Sequence, residues 1–153
     1  IGTCSKALGA QGGFIVADAP IIEWIVNKGR SFIFSTAPVP AAVGAAIGSL
    51  DLLNKQPELP EQLRQRAAEL RSGLQQLGWQ VPDGRSPIIP LIVGQEQAAL
   101  QLAAQLRAAG HYAPAIRPPT VPAGSCRLRL TITLAHKASD WKRLLRSLAA
   151  LAP

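Results

Sequence analysis

Polar and apolar residues alternate without a break between Arg127 and Leu134. Arg127, Arg129, Thr131 and Thr133 fall on one side, and Leu128, Leu130, Ile132 and Leu134 on the other. Successive side chains of a strand point to opposite faces, so this pattern specifies a strand with one apolar and one polar face. Its register is constrained as well, because a one-residue slip would turn every leucine to water. A strand of this kind needs cover on one side only. Leu59, Leu63, Ala67, Leu70, Leu74 and Leu77 recur at steps of three and four, which predicts an amphipathic helix over about 60–77, stopped by Gly78. Ile88–Val93 reads as a near-continuous apolar strand and Gln95–Ala109 as a helix ended by Gly110. Tyr112–Ile116 reads as a short strand, with a loop over Arg117–Ser125 behind it. Ser139 is expected to cap a last helix bearing Trp141, Leu144, Leu145, Leu148 and Leu151. Together these pieces predict a small α/β or α+β layer, with helices on one face of a short, mostly antiparallel sheet.

The first third is built differently. Phe14–Ala17 follows two glycines and reads as a buried strand. Asp18 and Pro20 predict a helix start, with Asp18 as cap, and Asn27-Lys28-Gly29 predicts its end. Arg30–Phe34 suggests an extended segment, after which the prolines favour opening a helix from about Pro40 to Leu53. That helix carries Val43, Ile47, Leu50 and Leu53 on one side and Ala and Gly on the others, the pattern of a helix buried or at an interface. The polar, proline-containing stretch Asn54–Pro60 marks a boundary and divides the chain into 1–55 and 56–153.

Sixteen Lys and Arg against nine Asp and Glu give a net charge of +7. The arginines are scattered and aromatics make up 5% of residues, which argues against a nucleic-acid reader and suits anionic small molecules instead. Cys4 and Cys126 match no metal or redox spacing and suggest reduced thiols in a cytoplasmic protein; no metal site is expected. No apolar run approaches the ~18 residues of a membrane span. The chain begins with Ile, which reads as a fragment or a processed product.

Chemistry is expected at three places. Lys6 lies among small and hydroxylated residues, where an amine can serve as a nucleophile, and Thr3 places a hydroxyl three residues earlier, able to bind a phosphate oxygen. Ser35 and Thr36 put two hydroxyls just before a helix N-terminus, a setting that favours an anion but equally suits an ordinary cap. Arg117, on the proline-rich loop, and the polar face of 127–134 could hold a carboxylate through paired hydrogen bonds, or could simply be solvated. His136 reads as a structural or surface histidine.

Gly2-Thr3-Cys4-Ser5-Lys6-Ala7-Leu8-Gly9, then Gly12-Gly13, then Arg30-Ser31-Phe32-Ile33-Phe34-Ser35-Thr36-Ala37 resembles the α-oxoamine synthases. These are fold-type I pyridoxal 5′-phosphate enzymes that condense an amino acid with an acyl thioester. The segment Ala115–Pro122, with Gly124 and Arg127–Thr131, most resembles the branch that makes 8-amino-7-oxononanoate in biotin synthesis. The resemblance implies an α/β fold in which 1–55 is a remnant of the cofactor-binding large domain and 56–153 the small C-terminal domain. It implies that Lys6 forms the Schiff base with pyridoxal 5′-phosphate and that Thr3 binds its phosphate. Ser35 and Thr36 are implied to reach the phosphate of the partner subunit's cofactor, which makes the parent a homodimer. Arg117 and Thr120 are implied to contact substrate, and Arg129 to hold the amino-acid carboxylate. The implied substrates are L-alanine and pimeloyl thioester. Cys4 stands where relatives carry other residues and receives no role. The family's ring-nitrogen aspartate and ring-stacking histidine lie upstream of the lysine, so the chain alone is expected to bind cofactor poorly and to lack synthase activity. Glycine C-acetyltransferase, serine palmitoyltransferase and a non-catalytic folded module are the rival readings; the Arg-Pro-Pro-Thr-Val-Pro loop disfavours the first two.

Overall fold

The structure is a computed structural model and describes residues 1–152. It divides into two units, Ile1–Pro57 and a second from Glu58 onward.

In the first unit, β1 (Gly2–Thr3) and β2 (Gly13–Phe14) pair antiparallel, with Gly2 opposite Phe14 and Thr3 opposite Gly13. Phe14 lays its ring over Gly2, where a Cβ would collide with it. The chain turns back between them through Gly9 and Gly12, both at positive φ, which only glycine adopts freely. Helix α1 (Ala19–Lys28) has Pro20 in its first turn. The Asp18 carbonyl accepts from the N–H of Ile21 and Ile22, but its carboxylate makes no cap bond, so Asp18 marks the helix start without capping it through its side chain. Gly29 leads directly into a short helix α2 (Arg30–Ile33), where the aromatic run had suggested extended chain. Strands need neighbours for their backbone groups. Here the Gly29 carbonyl instead accepts from Phe32 and Ile33, both at 2.9 Å, and a helical turn satisfies the backbone locally. Helix α3 (Pro40–Lys55) follows, opened by Pro40.

The expected burial of this region is not met within the unit. Only Phe14 of Phe14–Ala17 joins the ladder, and Val16 is 81% exposed. Val43, Ile47 and Leu50 of α3 are exposed, as are Trp24, Phe32 and Phe34. A two-residue ribbon with no second layer over it has nothing to bury such side chains against.

The second unit contains α4 (Leu59–Gln76), β3 (Ile88–Gly94), α5 (Glu96–Ala108), β4 (Ala115–Ile116), β5 (Cys126–Thr131) and α6 (Ala138–Ala149). Its sheet has the order β3-β5-β4 and is antiparallel throughout. The alternating strand is therefore central, with Leu128 opposite Leu91 on one side and Ala115 on the other. Leu128, Leu130 and Ile132 are buried against Leu70 and Leu74 of α4, Leu106 of α5 and Leu148 of α6. Burying one such side chain stabilises by about 1.5–3 kcal/mol. Thr131 and Thr133 remain exposed, as the alternation requires, whereas Leu134 falls in the following turn, half-buried. β4 is shorter than Tyr112–Ile116 because its pairing narrows at Pro114, whose carbonyl still accepts the Arg129 N–H at 3.0 Å.

Ser139 does not cap α6. The cap position is Lys137, whose N–H donates to the Asp140 carboxylate at 2.8 Å, leaving Ser139 inside the first turn. A carboxylate there also meets the positive end of the helix dipole, which a hydroxyl answers less well. His136 is structural: its Nδ1 accepts the Thr133 N–H at 3.1 Å and closes the turn after β5. Arg66 ties down the same turn, donating to the carbonyls of Leu134 and His136.

Candidate active site

Lys6 sits on a loop that its own backbone closes. The Cys4 N–H donates to Gly12 O at 2.9 Å, Ala10 to Cys4 O at 2.8 Å and Gly9 to Lys6 O at 3.0 Å. These bonds turn Cys4 and Leu8 inward, where both are buried, and leave Lys6 exposed between them. Ser49 of α3 donates to Leu8 O at 2.9 Å and fastens the loop to its own unit. Among the described residues the Lys6 side chain has no hydrogen-bond or ion-pair partner.

Thr3, on the same loop, belongs to a small hydroxyl cluster. Thr3 Oγ1 is 2.8 Å from Ser5 Oγ and also receives the Ser5 N–H at 3.3 Å. Ser5 was not singled out from sequence, although its place next to the lysine was the available signal. Gly9 and Gly12 have open space where a side chain would stand. The loop thus offers one free primary amine, two hydroxyls and bare backbone, a set suited to an electrophilic carbon and an anionic oxygen.

Ser35 and Thr36 are exposed on the segment between α2 and α3. Ser35 donates its hydroxyl proton to Ser31 O, closing the end of α2. No hydrogen bond among the described residues links this pair to Thr3 or Lys6.

In the second unit, Arg117 and Thr120 share one loop. Arg117 pairs with Glu96 at 2.8 Å, at the first turn of α5, and its carbonyl accepts the Thr120 N–H at 3.0 Å. Glu96 was not foreseen, because a partner 21 positions away leaves no local mark. Arg129 is exposed on the polar face of β5 and lines a cavity of about 530 Å³ within this unit. Arg127 is half-buried, and its Nε donates to Ser125 O at 2.9 Å. Thus Thr3 and Lys6 share one loop without a bond between them, Arg117 and Thr120 share another and are linked through the Arg117 carbonyl, and Ser35–Thr36 and Arg129 lie on separate elements.

No helix among the described residues is long and apolar enough to cross a membrane. The family described as aminotransferase class I and II matches residues 1–148. The 8-amino-7-oxononanoate synthase of Polaromonas naphthalenivorans is 45% identical over 158 residues, covering 97% of this chain and 39% of that protein. Sphingomonas wittichii serine palmitoyltransferase superposes with a TM-score of 0.91 at 28% identity, over 99% of this chain and 40% of that one. SPT with PLP internal aldimine superposes with a TM-score of 0.91 at 30% identity, over 97% and 38% of the two chains. The chain spans about two fifths of the length of the curated relatives it matches.

Proposed function

This chain belongs to the aminotransferase class I and II family, and from that premise we propose that it is part of a pyridoxal 5′-phosphate-dependent 8-amino-7-oxononanoate synthase. The observation that carries the reading is the Lys6 loop, with its unpaired amine, its Thr3–Ser5 hydroxyls and the open space beside Gly9 and Gly12. The relatives of that name, at 40–45% identity, support it. In this reading 1–55 belongs to the large, cofactor-binding domain and 56–153 is the small domain.

The donor set fits the cofactor. Lys6 would hold its aldehyde carbon, and Thr3 would hold a phosphate oxygen. When bound, the cofactor supplies an electron sink for the electron pair left on the amino acid's α-carbon. The chain's residues supply positioning and proton movement. Lys6 Nζ takes the α-proton of L-alanine and later returns a proton to the same carbon, once that carbon has bonded to the acyl carbon of pimeloyl thioester, the C–S bond has broken with release of the thiolate, and carbon dioxide has left. Arg129 orients the amino-acid carboxylate through two parallel hydrogen bonds. Arg117 and Thr120 contact the substrate from their shared loop. Ser35 and Thr36 reach the phosphate of the cofactor in the partner subunit, so the working enzyme is a homodimer. Its place is the cytoplasm, which suits the free thiols Cys4 and Cys126. The 153-residue chain alone is proposed to lack synthase activity, since its Lys6 stands exposed to water with no charged partner.

The likeness to serine palmitoyltransferase favours, as a second reading, another acyl transfer of the same class. Turnover of pimeloyl, acetyl and palmitoyl thioesters by the full-length enzyme separates the two. The cofactor assignment has its own test: borohydride reduction of the cofactor-loaded, full-length protein should attach the cofactor irreversibly to Lys6, and Lys6→Ala should abolish the attachment. A modified peptide that maps elsewhere overturns the assignment.

A further inference from the structure

The loop that carries Arg117 and Thr120 is held unevenly. Its C-terminal half is fastened at several points. Ser125 donates its N–H and its hydroxyl to Pro122 O, Arg127 Nε donates to Ser125 O, and Cys126 stands opposite Gly94 at the end of β3. The N-terminal half has no such support. Arg117, Pro118, Pro119 and Thr120 are all exposed, so packing does not fix them. Among the described residues, the one side-chain hydrogen bond from another element to this stretch comes from Arg117 Nη1 to Glu96 Oε1, at 2.8 Å.

Glu96 is itself firmly based. It stands in the first turn of α5, where the positive end of the helix dipole favours a carboxylate. Ala99, Leu102 and Leu106 of the same helix are buried, which anchors the helix on its sheet. From Arg117 the constraint passes along the chain to Thr120. The two intervening prolines restrict the backbone torsions, and the Thr120 N–H donates to Arg117 O at 3.0 Å. Glu96 takes only part of the guanidinium. Nε and Nη2 of Arg117 have no partner among the described residues, and these donors stay available for a second anion.

We propose that Glu96 is a positioning residue of the synthase: it fixes where Arg117, and through it Thr120, stands to meet substrate, and does not touch substrate itself. This rests on the functional reading above, in which Arg117 and Thr120 are substrate contacts. The effect falls on binding and not on the proton transfer at Lys6, because a contact that is equal in the bound substrate and in the transition state changes KM and leaves kcat alone.

The test is steady-state kinetics of the full-length enzyme with L-alanine and pimeloyl thioester. Arg117→Ala first identifies the substrate whose KM depends on this loop. Glu96→Ala should raise the KM of that same substrate by about two- to fivefold, the range of a half-exposed ion pair, with kcat unchanged within about twofold. Glu96→Gln keeps an acceptor for Nη1 without the charge and should recover part of the loss. In an Arg117→Ala background, Glu96→Ala should have no further effect on KM. A purely structural role in α5 would raise KM equally in both backgrounds, and that result overturns the proposal. So does an unchanged KM in Glu96→Ala where Arg117→Ala raises it. If Arg117→Ala itself leaves both KM values unmoved, the substrate contact in the functional reading is what fails, and the proposal is overturned with it.

Discussion

Gly73 lies in the interior of α4, facing Leu145 of α6. A Cβ at this position would stand 2.8 Å from Leu145 Cδ1 and 3.1 Å from Cδ2. On a free helix, Gly→Ala is favourable by about 1 kcal/mol, because alanine loses less backbone entropy. Here the added methyl must displace Leu145, and overpacking of this kind costs about 1–3 kcal/mol. The two effects oppose each other, so Gly73→Ala should change stability by between about 0 and 2 kcal/mol, on the destabilising side. The neighbour is a half-buried leucine side chain and not backbone, which favours the lower end of that range. A second substitution separates the terms. In a Leu145→Ala background the methyl has room, and Gly73→Ala should then stabilise by nearly the full propensity gain of about 1 kcal/mol. Urea unfolding followed by the fluorescence of Trp79 and Trp141, in a Trp24→Phe background, reads the second unit alone. A stabilising Gly73→Ala in the presence of Leu145, or the same effect in both backgrounds, would refute the idea that this glycine sets the approach of α6 to α4.

Asp140→Ala should destabilise the second unit by about 0.5–2 kcal/mol, since the Lys137 N–H loses its acceptor, and amide exchange at Lys137 should rise. Burial and the charge of Arg143 hold the folded pKa of His111 below the ordinary 6.5, so its contribution is complete above that value and is lost as pH falls through the folded pKa. Urea midpoints measured from about pH 8 down to 5 should therefore fall more steeply in the native chain than in His111→Gln. Glu96→Gln should cost no more than about 1 kcal/mol, because the pair with Arg117 is half-exposed, yet it should raise amide exchange at Thr120, whose N–H donates to the Arg117 carbonyl.

What the sequence disclosed tracks how local the deciding interactions are. The alternation over Arg127–Leu134 was readable because the helices that cover Leu128, Leu130 and Ile132 lie in the same chain and carry matching apolar stripes. The loop that carries Thr3 and Lys6 is local in the same sense, since backbone bonds among residues 4–12 close it. The start of α6 was misread by two residues because Ser139 and Asp140 both suit a helix start, and only geometry decides which of them takes the orphan N–H. The Arg117–Glu96 pair and the cavity wall were invisible, because each joins residues from elements far apart in sequence.

The first unit shows a different kind of failure. An apolar residue pattern states a demand for cover without saying where the cover comes from. Val43, Ile47 and Leu50 follow helical spacing as faithfully as the leucines of α4 do, yet they are exposed while Leu70 and Leu74 are buried. The two helices differ in what the chain packs against them, and hydrophobic periodicity does not encode that. In the proposed enzyme the demand is met by protein outside Ile1–Pro57. Supplying that surface should reduce the exposure of Trp24, Phe32 and Phe34, and a blue shift of the Trp24 emission in a Trp79→Phe, Trp141→Phe background would report it.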